Sequence, residues 1–210
     1  MVTLNLNKGE HRELVCVDEP SLDFHCLQEE DSSLRLFVIN FKSAKNVLHI
    51  DHCATGCRTE IYHLALLQGE DSVHTHTRMH HDIGKGSSKQ MIKFVLDDKA
   101  QGSFRGELRI QKDAQQVDAQ QNNSNLLLSP KATMRTQPQL EIYADDVKAS
   151  HGASTGQLDE SALFYMQQRG ISPERGRQML LRAFVADIIE QISDESRREE
   201  LMSAIDRIFE

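Results

Sequence analysis

Apolar positions in the first three quarters of the chain come in short runs separated by polar corners. Leu34–Ile39, Asn46–Ile50, Thr59–Leu64, Met91–Leu96, Glu107–Ile110 and Gln139–Tyr143 are each only a few residues long. They are rich in β-branched residues or Leu and bounded by Gly, Asn, Asp or Ser, which marks strands. From Ile39 to Leu158 no apolar period of a helix is sustained, so residues 1–156 read as an all-β core. Its corners are alike: Asp98-Lys99-Ala100, Lys112-Asp113-Ala114 and Pro130-Lys131-Ala132 are polar or charged and end in a small residue. An irregular repeat of this kind suits a β-solenoid with corners of varying length, and it suits a β-sandwich equally well. The polar run Gln111–Asn125 has the composition of a linker, yet Leu126-Leu127-Leu128 follows at once and needs a core. In a solenoid such Asn and Gln side chains can stack on like residues of the next rung.

At Gly156 the period changes, and residues 157–210 read as a helical domain. Leu158–Arg169 is opened by Asp159 and Glu160 and closed by Gly170, and Ser172-Pro173-Glu174 is an N-cap followed by proline at the first helical position. Leu181, Phe184, Val185, Ile188, Ile189 and Ile192 then form an apolar stripe. A third helix, capped by Ser193 or Asp194, carries Leu201, Ala204, Ile205 and Ile208 on one face. The helical stripe either packs on the β core or faces a partner.

Charge and composition narrow the function. The 210 residues hold 24 basic against 32 acidic side chains, a net charge of −8, which argues against a nucleic acid partner because phosphate binding needs clustered cations. The first residues lack the apolar core of a secretory leader, and no window is long and apolar enough to span a membrane. Four cysteines in a chain of this length point to reduced thiols in a cytoplasmic setting rather than to a disulfide framework.

The candidate chemistry is histidine-rich. His74, His76 and His80 share a strand face in the manner of a cupin-like, metal-dependent β-barrel enzyme, although the carboxylate expected after the His pair is absent. His49, His52, Cys53, Cys57 and His63 form a second cluster, without the returning ligand pair of a zinc site. Gly84-Lys85-Gly86-Ser87-Ser88 lacks the order of a phosphate loop, and no nucleophile elbow is present. No self-contained catalytic constellation emerges, so an enzyme is not expected.

One stretch is far more specific. Pro138-Gln139-Leu140-Glu141-Ile142-Tyr143-Ala144-Asp145-Asp146-Val147-Lys148-Ala149-Ser150-His151-Gly152-Ala153, then Leu158-Asp159-Glu160, Ala162-Leu163-Phe164-Tyr165-Met166 and Arg169-Gly170-Ile171, resembles the C-terminal signature of the SufB/SufD family of iron–sulfur cluster assembly proteins. Gly102-Ser103-Phe104-Arg105-Gly106 and Asn125-Leu126-Leu127-Leu128 extend the likeness upstream. The resemblance implies a right-handed parallel β-helix followed by a C-terminal helical domain. It also implies a scaffold subunit with no turnover of its own, pairing with a SufB-like subunit, docking a SufC-like ABC ATPase, and homodimerising when alone. Phe164, Tyr165, Arg169, Phe184 and Ile188 are then the expected ATPase-docking residues. The SufB-type assembly cysteine would follow Lys131, where Ala132 stands, and Gly152 follows His151 in place of the SufB-type carboxylate, so the resemblance is to SufD. His151 matches the SufD-type histidine at the interface of the two β-helix subunits. There it would meet a transient cluster or iron, with no tightly bound cofactor. The competing reading of His151 is a corner residue bonded to the Asp145-Asp146 turn. Family members are about twice as long, so the chain is expected to be a short form lacking their N-terminal region.

Overall fold

A computed structural model describes residues 1–209. It contains two compact units, Met1–Thr155 and Gly156–Glu210. The first comprises strands β1 (Val2–Leu6), β2 (His11–Val17), β3 (Ser21–Gln28), β4 (Ser33–Asn40), β5 (Ala44–His52), β6 (Arg58–Leu67), β7 (Ser72–His81), β8 (Ser87–Leu96), β9 (Gln101–Ile110), β10 (Val117–Leu127), β11 (Thr133–Ile142) and β12 (Val147–Gly156).

Successive strands alternate between two six-stranded sheets, ordered β1-β3-β5-β7-β9-β11 and β12-β10-β8-β6-β4-β2. Paired strands run parallel. The unit is a parallel β-helix, as expected, and not a sandwich. Because the sheets are neither antiparallel nor closed on themselves, the β-barrel on which a cupin-like reading of His74, His76 and His80 depends does not exist.

The rungs widen along the chain. In the first sheet Val2 stands beside Phe24, Phe24 beside Leu48, Leu48 beside Thr77, Thr77 beside Gly106 and Gly106 beside Pro138. The offset between neighbours therefore grows from 22 to 32 residues. Strand length grows with it, from 5 residues in β1 to 11 in β10. This taper explains why the repeat is irregular in sequence.

Corners are built alike. Ala100 N donates to Asp97 O at 2.9 Å, Ala114 N to Gln111 O at 3.0 Å and Ala132 N to Ser129 O at 3.2 Å, each closing a four-residue turn. Ala100, Ala114 and Ala132 are buried and belong to the apolar core. At the corner after β5, Gly56 adopts φ +75°, and a Cβ there would run into the carboxylate of Asp31 on the rung before.

Inside, one part of the coil is apolar and another polar. Leu22, Phe24, Leu36, Leu48, Ile61, Phe94 and Phe104 belong to the apolar part. The polar part contains Asn40, Asn46, His63 and Thr75, whose side chains meet around His63 Nε2: Asn40 Oδ1 at 3.2 Å and Thr75 Oγ1 at 3.2 Å. His52 Nδ1 faces His81 Nδ1 at 3.1 Å, and Thr77 donates to Gln90 Oε1 at 2.7 Å. The polar run flagged in the sequence is folded as β10. Gln121 stacks beside Gln90 in register, but Asn123 and Asn125 bond to each other within their strand, at 2.8 and 2.9 Å, rather than to like residues of a neighbouring rung.

The second unit holds α1 (Glu160–Gln168), α2 (Pro173–Ile189) and α3 (Glu195–Phe209). Asp159 caps α1 through Ser161 N at 2.8 Å and Ala162 N at 3.1 Å. Ser172 caps α2 with Pro173 following, and Asp194 accepts from Arg197 N at the start of α3. Leu181, Val185, Ile188 and Ile189 of α2 are buried, as are Leu201 and Ile205 of α3. Arg182 and Asp206 join α2 to α3 with an ion pair. No described helix is long and apolar enough to cross a membrane.

Complete burial holds the His63 imidazole neutral, with its pKa lowered from 6.5 to about 3. The unfolded chain takes up a proton below pH 6.5 that the folded chain refuses, so stability falls as pH drops from 6.5 toward 3. That one group accounts for a loss on the order of 4 kcal/mol across the window. Urea unfolding at stepped pH should show the decline, and His63→Gln should make it shallower by removing this share. An unchanged slope in the variant would contradict the assignment.

Candidate functional site

The last rung leaves one end of the coil open. β11 and β12 are the edge strands of their sheets at this end, as β1 and β2 are at the other, and their side chains are exposed or half-buried. Gln116 N donates to Asp146 O, and Asn125 Nδ2 reaches both Ser154 O at 2.9 Å and Thr155 Oγ1 at 3.1 Å. β12 neighbours β10, Gly152 lies against outward-facing Asn122, and Val147 and Ala149 pack on the core, so by alternation His151 points inward and continues the column of Gln121.

His151 therefore occupies an inward position on a rung that no further strand covers. It is exposed, and among the described residues no hydrogen bond or ion pair holds its imidazole; the bond to the Asp145-Asp146 turn is not made. Beneath it, Gln121 is buried, and neither its Nε2 nor its Oε1 finds a protein partner. Gln121 fits because residue 106 on the opposite sheet is glycine: a Cβ at Gly106 would collide with the Gln121 amide. Thr136 on β11 also has a buried, unpartnered hydroxyl. The open end thus combines a free imidazole with polar groups whose bonding capacity is unused inside the chain. Such orphans are costly where they serve nothing.

The other residues singled out in the sequence do not converge at His151. His74, His76 and His80 share the outer face of β7, but His76 Nε2 lies 3.2 Å from Glu107 Oε1 while His80 turns to Asp51, so they form no triad. The His49–His63 cluster is dispersed by the pleat. His49 faces outward; His52 and His63 are interior; Cys53 is exposed; Cys57 is buried with its thiol on the Glu29 and Ala54 carbonyls at 3.2 Å. Burial raises the pKa of both thiols, and that of interior Cys26 to about 12, so none is primed as a nucleophile.

In the helical unit Phe164 and Tyr165 are 63% and 60% exposed on α1, a helix without a buried residue. The Arg169 guanidinium lies 5.1 Å from the Tyr165 ring. Phe184 is half-buried, and Ile188 is fully buried and offers no surface.

Comparison with known proteins bears on the same residues. The family described as "SUF system FeS cluster assembly, SufBD core domain" matches residues 22–184, a stretch that takes in most of the coil, His151, the first helix and part of the second. The chain belongs to the SufBD family. It is 39% identical over 131 residues to the iron–sulfur cluster assembly protein SufD of Escherichia coli, covering 62% of this chain and 31% of that protein. It is 35% identical over 167 residues to a SufBD family protein of Synechocystis, covering 79% of this chain and 37% of the relative. Against the chloroplastic protein ABCI7 of Arabidopsis thaliana it is 34% identical over 176 residues, covering 82% and 37%. Within the SufBD family the chain is SufD-like. The matched stretches span about a third of the length of these curated relatives.

Sequence reasoning singled out His151 but not Gln121, Gly106 or Thr136 around it, because inward position and absence of a partner depend on the register between rungs. A buried amide without partners costs about 1–3 kcal/mol. Gln121→Leu should therefore raise the stability of the isolated chain by about 1 kcal/mol in urea unfolding. A drop of similar size would show that the Gln121 amide is satisfied within the chain.

Proposed function

We propose that this SufBD-family chain acts as a SufD-like subunit of a cytoplasmic iron–sulfur cluster assembly complex, as a scaffold with no turnover of its own. The observation that carries this reading is the coincidence of the family match with an unbonded His151 on the uncovered last rung. Edge strands β11 and β12 carry unpaired backbone groups suited to another β subunit. A SufB-like partner docked there would enclose His151 and offer partners to Gln121 and Thr136. The same edges would let two copies of this chain pair when the partner is absent.

In the closed interface the cargo, a nascent cluster or iron, is met by the His151 imidazole. It either donates a lone pair to iron or accepts a proton released by an incoming thiol. Excluding water there lowers the dielectric and strengthens either role. A SufC-like ATPase would supply the energy of opening and closing, docking on the exposed ring pair Phe164 and Tyr165 beside Arg169. Aromatic and arginine side chains of this kind dominate interface energetics. Ile188, being buried, serves helix packing instead.

The tests are made on the chain reconstituted with a SufB-like and a SufC-like partner. His151→Ala should lower cluster formation at least tenfold while the complex still co-elutes, whereas full activity would overturn the site assignment. Tyr165→Glu should release the ATPase subunit and leave the β-helix pairing intact; retention of the ATPase would remove α1 from the docking surface.

A further inference from the structure

A second cluster lies on the outer face of the first sheet, away from His151, which is on the second. Parallel register sets His25 beside His49 and Asp51 beside His80. The pleat turns all four side chains outward, where each is half-buried. His49 Nε2 and His80 Nδ1 both lie 3.1 Å from Asp51 Oδ1 and 3.3 Å from each other. His25 Nε2 contacts the other carboxylate oxygen, Oδ2, at 2.7 Å.

Those three edges describe a nearly equilateral triangle of two imidazole nitrogens and one carboxylate oxygen. Ligand atoms bonded to a common ion at about 2.1 Å stand roughly 3.0 Å apart in an octahedral site and 3.4 Å in a tetrahedral one. The observed edges fall in that range. Hydrogen bonds can use only some of these edges, because the two ring nitrogens facing each other at 3.3 Å need one donor and one acceptor while both also lie 3.1 Å from the same carboxylate oxygen. A central cation satisfies all three atoms together.

The rings are held in place: His25 stacks on His49 with centroids 4.6 Å apart, and His49 meets His80 edge-on at 4.8 Å. One side of the triangle opens into a groove of about 420 Å³ lined by His49, His80, Arg78, Arg105 and Glu107, which leaves coordination positions for water or an anion.

We propose that His49, His80 and Asp51 bind one divalent first-row transition ion of the Fe²⁺ or Zn²⁺ type, with His25 supporting the carboxylate from behind. Two imidazoles and a carboxylate on one triangular face, with open positions opposite, favour borderline divalent ions over Ca²⁺ or Mg²⁺, which take oxygen ligands. His76 and His74 on the same face are not part of it, because Glu107 holds His76.

The test uses the full chain alone, stripped with a chelator, so it does not depend on the assembly partners. Titration with Co²⁺ should give visible d–d absorption that saturates at one equivalent, and Zn²⁺ should compete for the same site. His80→Gln and Asp51→Asn should each weaken binding at least a hundredfold, and His25→Asn roughly ten- to a hundredfold, the usual effect of removing a group behind a ligand. His74→Ala should leave it unchanged. Circular dichroism of the metal-free variants checks folding; Asp51→Asn preserves shape and keeps the test decisive if a histidine variant is unstable. Failure to bind Co²⁺, Zn²⁺ or anaerobic Fe²⁺ would overturn the proposal, as would one-equivalent binding that survives Asp51→Asn and His80→Gln.

Discussion

Parallel register between rungs is the interaction on which everything else in this molecule depends. Once a strand pairs in parallel with the one a full turn earlier, each side chain sits about 4.8 Å above the residue in the same column. Columns therefore have to agree chemically. Leu36 beside Ile61 and Ala65 beside Phe94 build apolar columns, while Asn46 beside Thr75 and Gln90 beside Gln121 build polar ones. A single-residue slip would turn every inward side chain to solvent. The corners guard against it: closed turns ending in Ala100, Ala114 and Ala132 make the start of each following strand unambiguous.

The same register creates the two places where chemistry concentrates. On the outer face it gathers His25, His49, Asp51 and His80 from three strands into one contact group. At the last rung it leaves a column unfinished, so that His151 is exposed above a Gln121 whose amide is buried and unpartnered. A polar column that ends without its next member is stable only if its last groups reach water or another molecule, since an orphaned amide is costly in a low dielectric. The interior polarity and the reactive end are two consequences of one arrangement.

Much of this was legible in the residues. The short apolar runs became β4, β5, β6, β8, β9 and β11, and the caps at Asp159, Ser172 and Asp194 open the three helices. These are local signals, carried by propensity and by side chains that bond their own backbone. The choice between solenoid and sandwich was not local: it depends on whether a strand pairs with its successor or with the strand after that, and the alternation of apolar positions is the same in both. Only the likeness of Pro138–Ile171 to the SufB/SufD signature separated them in advance. Grouping His74 with His76 and His80 failed for a related reason, because neighbours along one strand face are only half of a site and the other half comes from β5.

By itself the sequence determined that the first three quarters are strands, six of them by position, that the last quarter is helical, and which family the chain resembles. Each of these rests on contacts within a few residues or on a long matched motif. The tertiary structure decided which side chains meet. It separated His49 from His63 by the pleat, placed Ile188 in the helical packing, joined Asp51 to His80, and left Gln121 without a partner beneath His151. Such pairings depend on rung length, and rung length drifts from 22 to 32 residues along the coil. No fixed spacing in the sequence could have announced them.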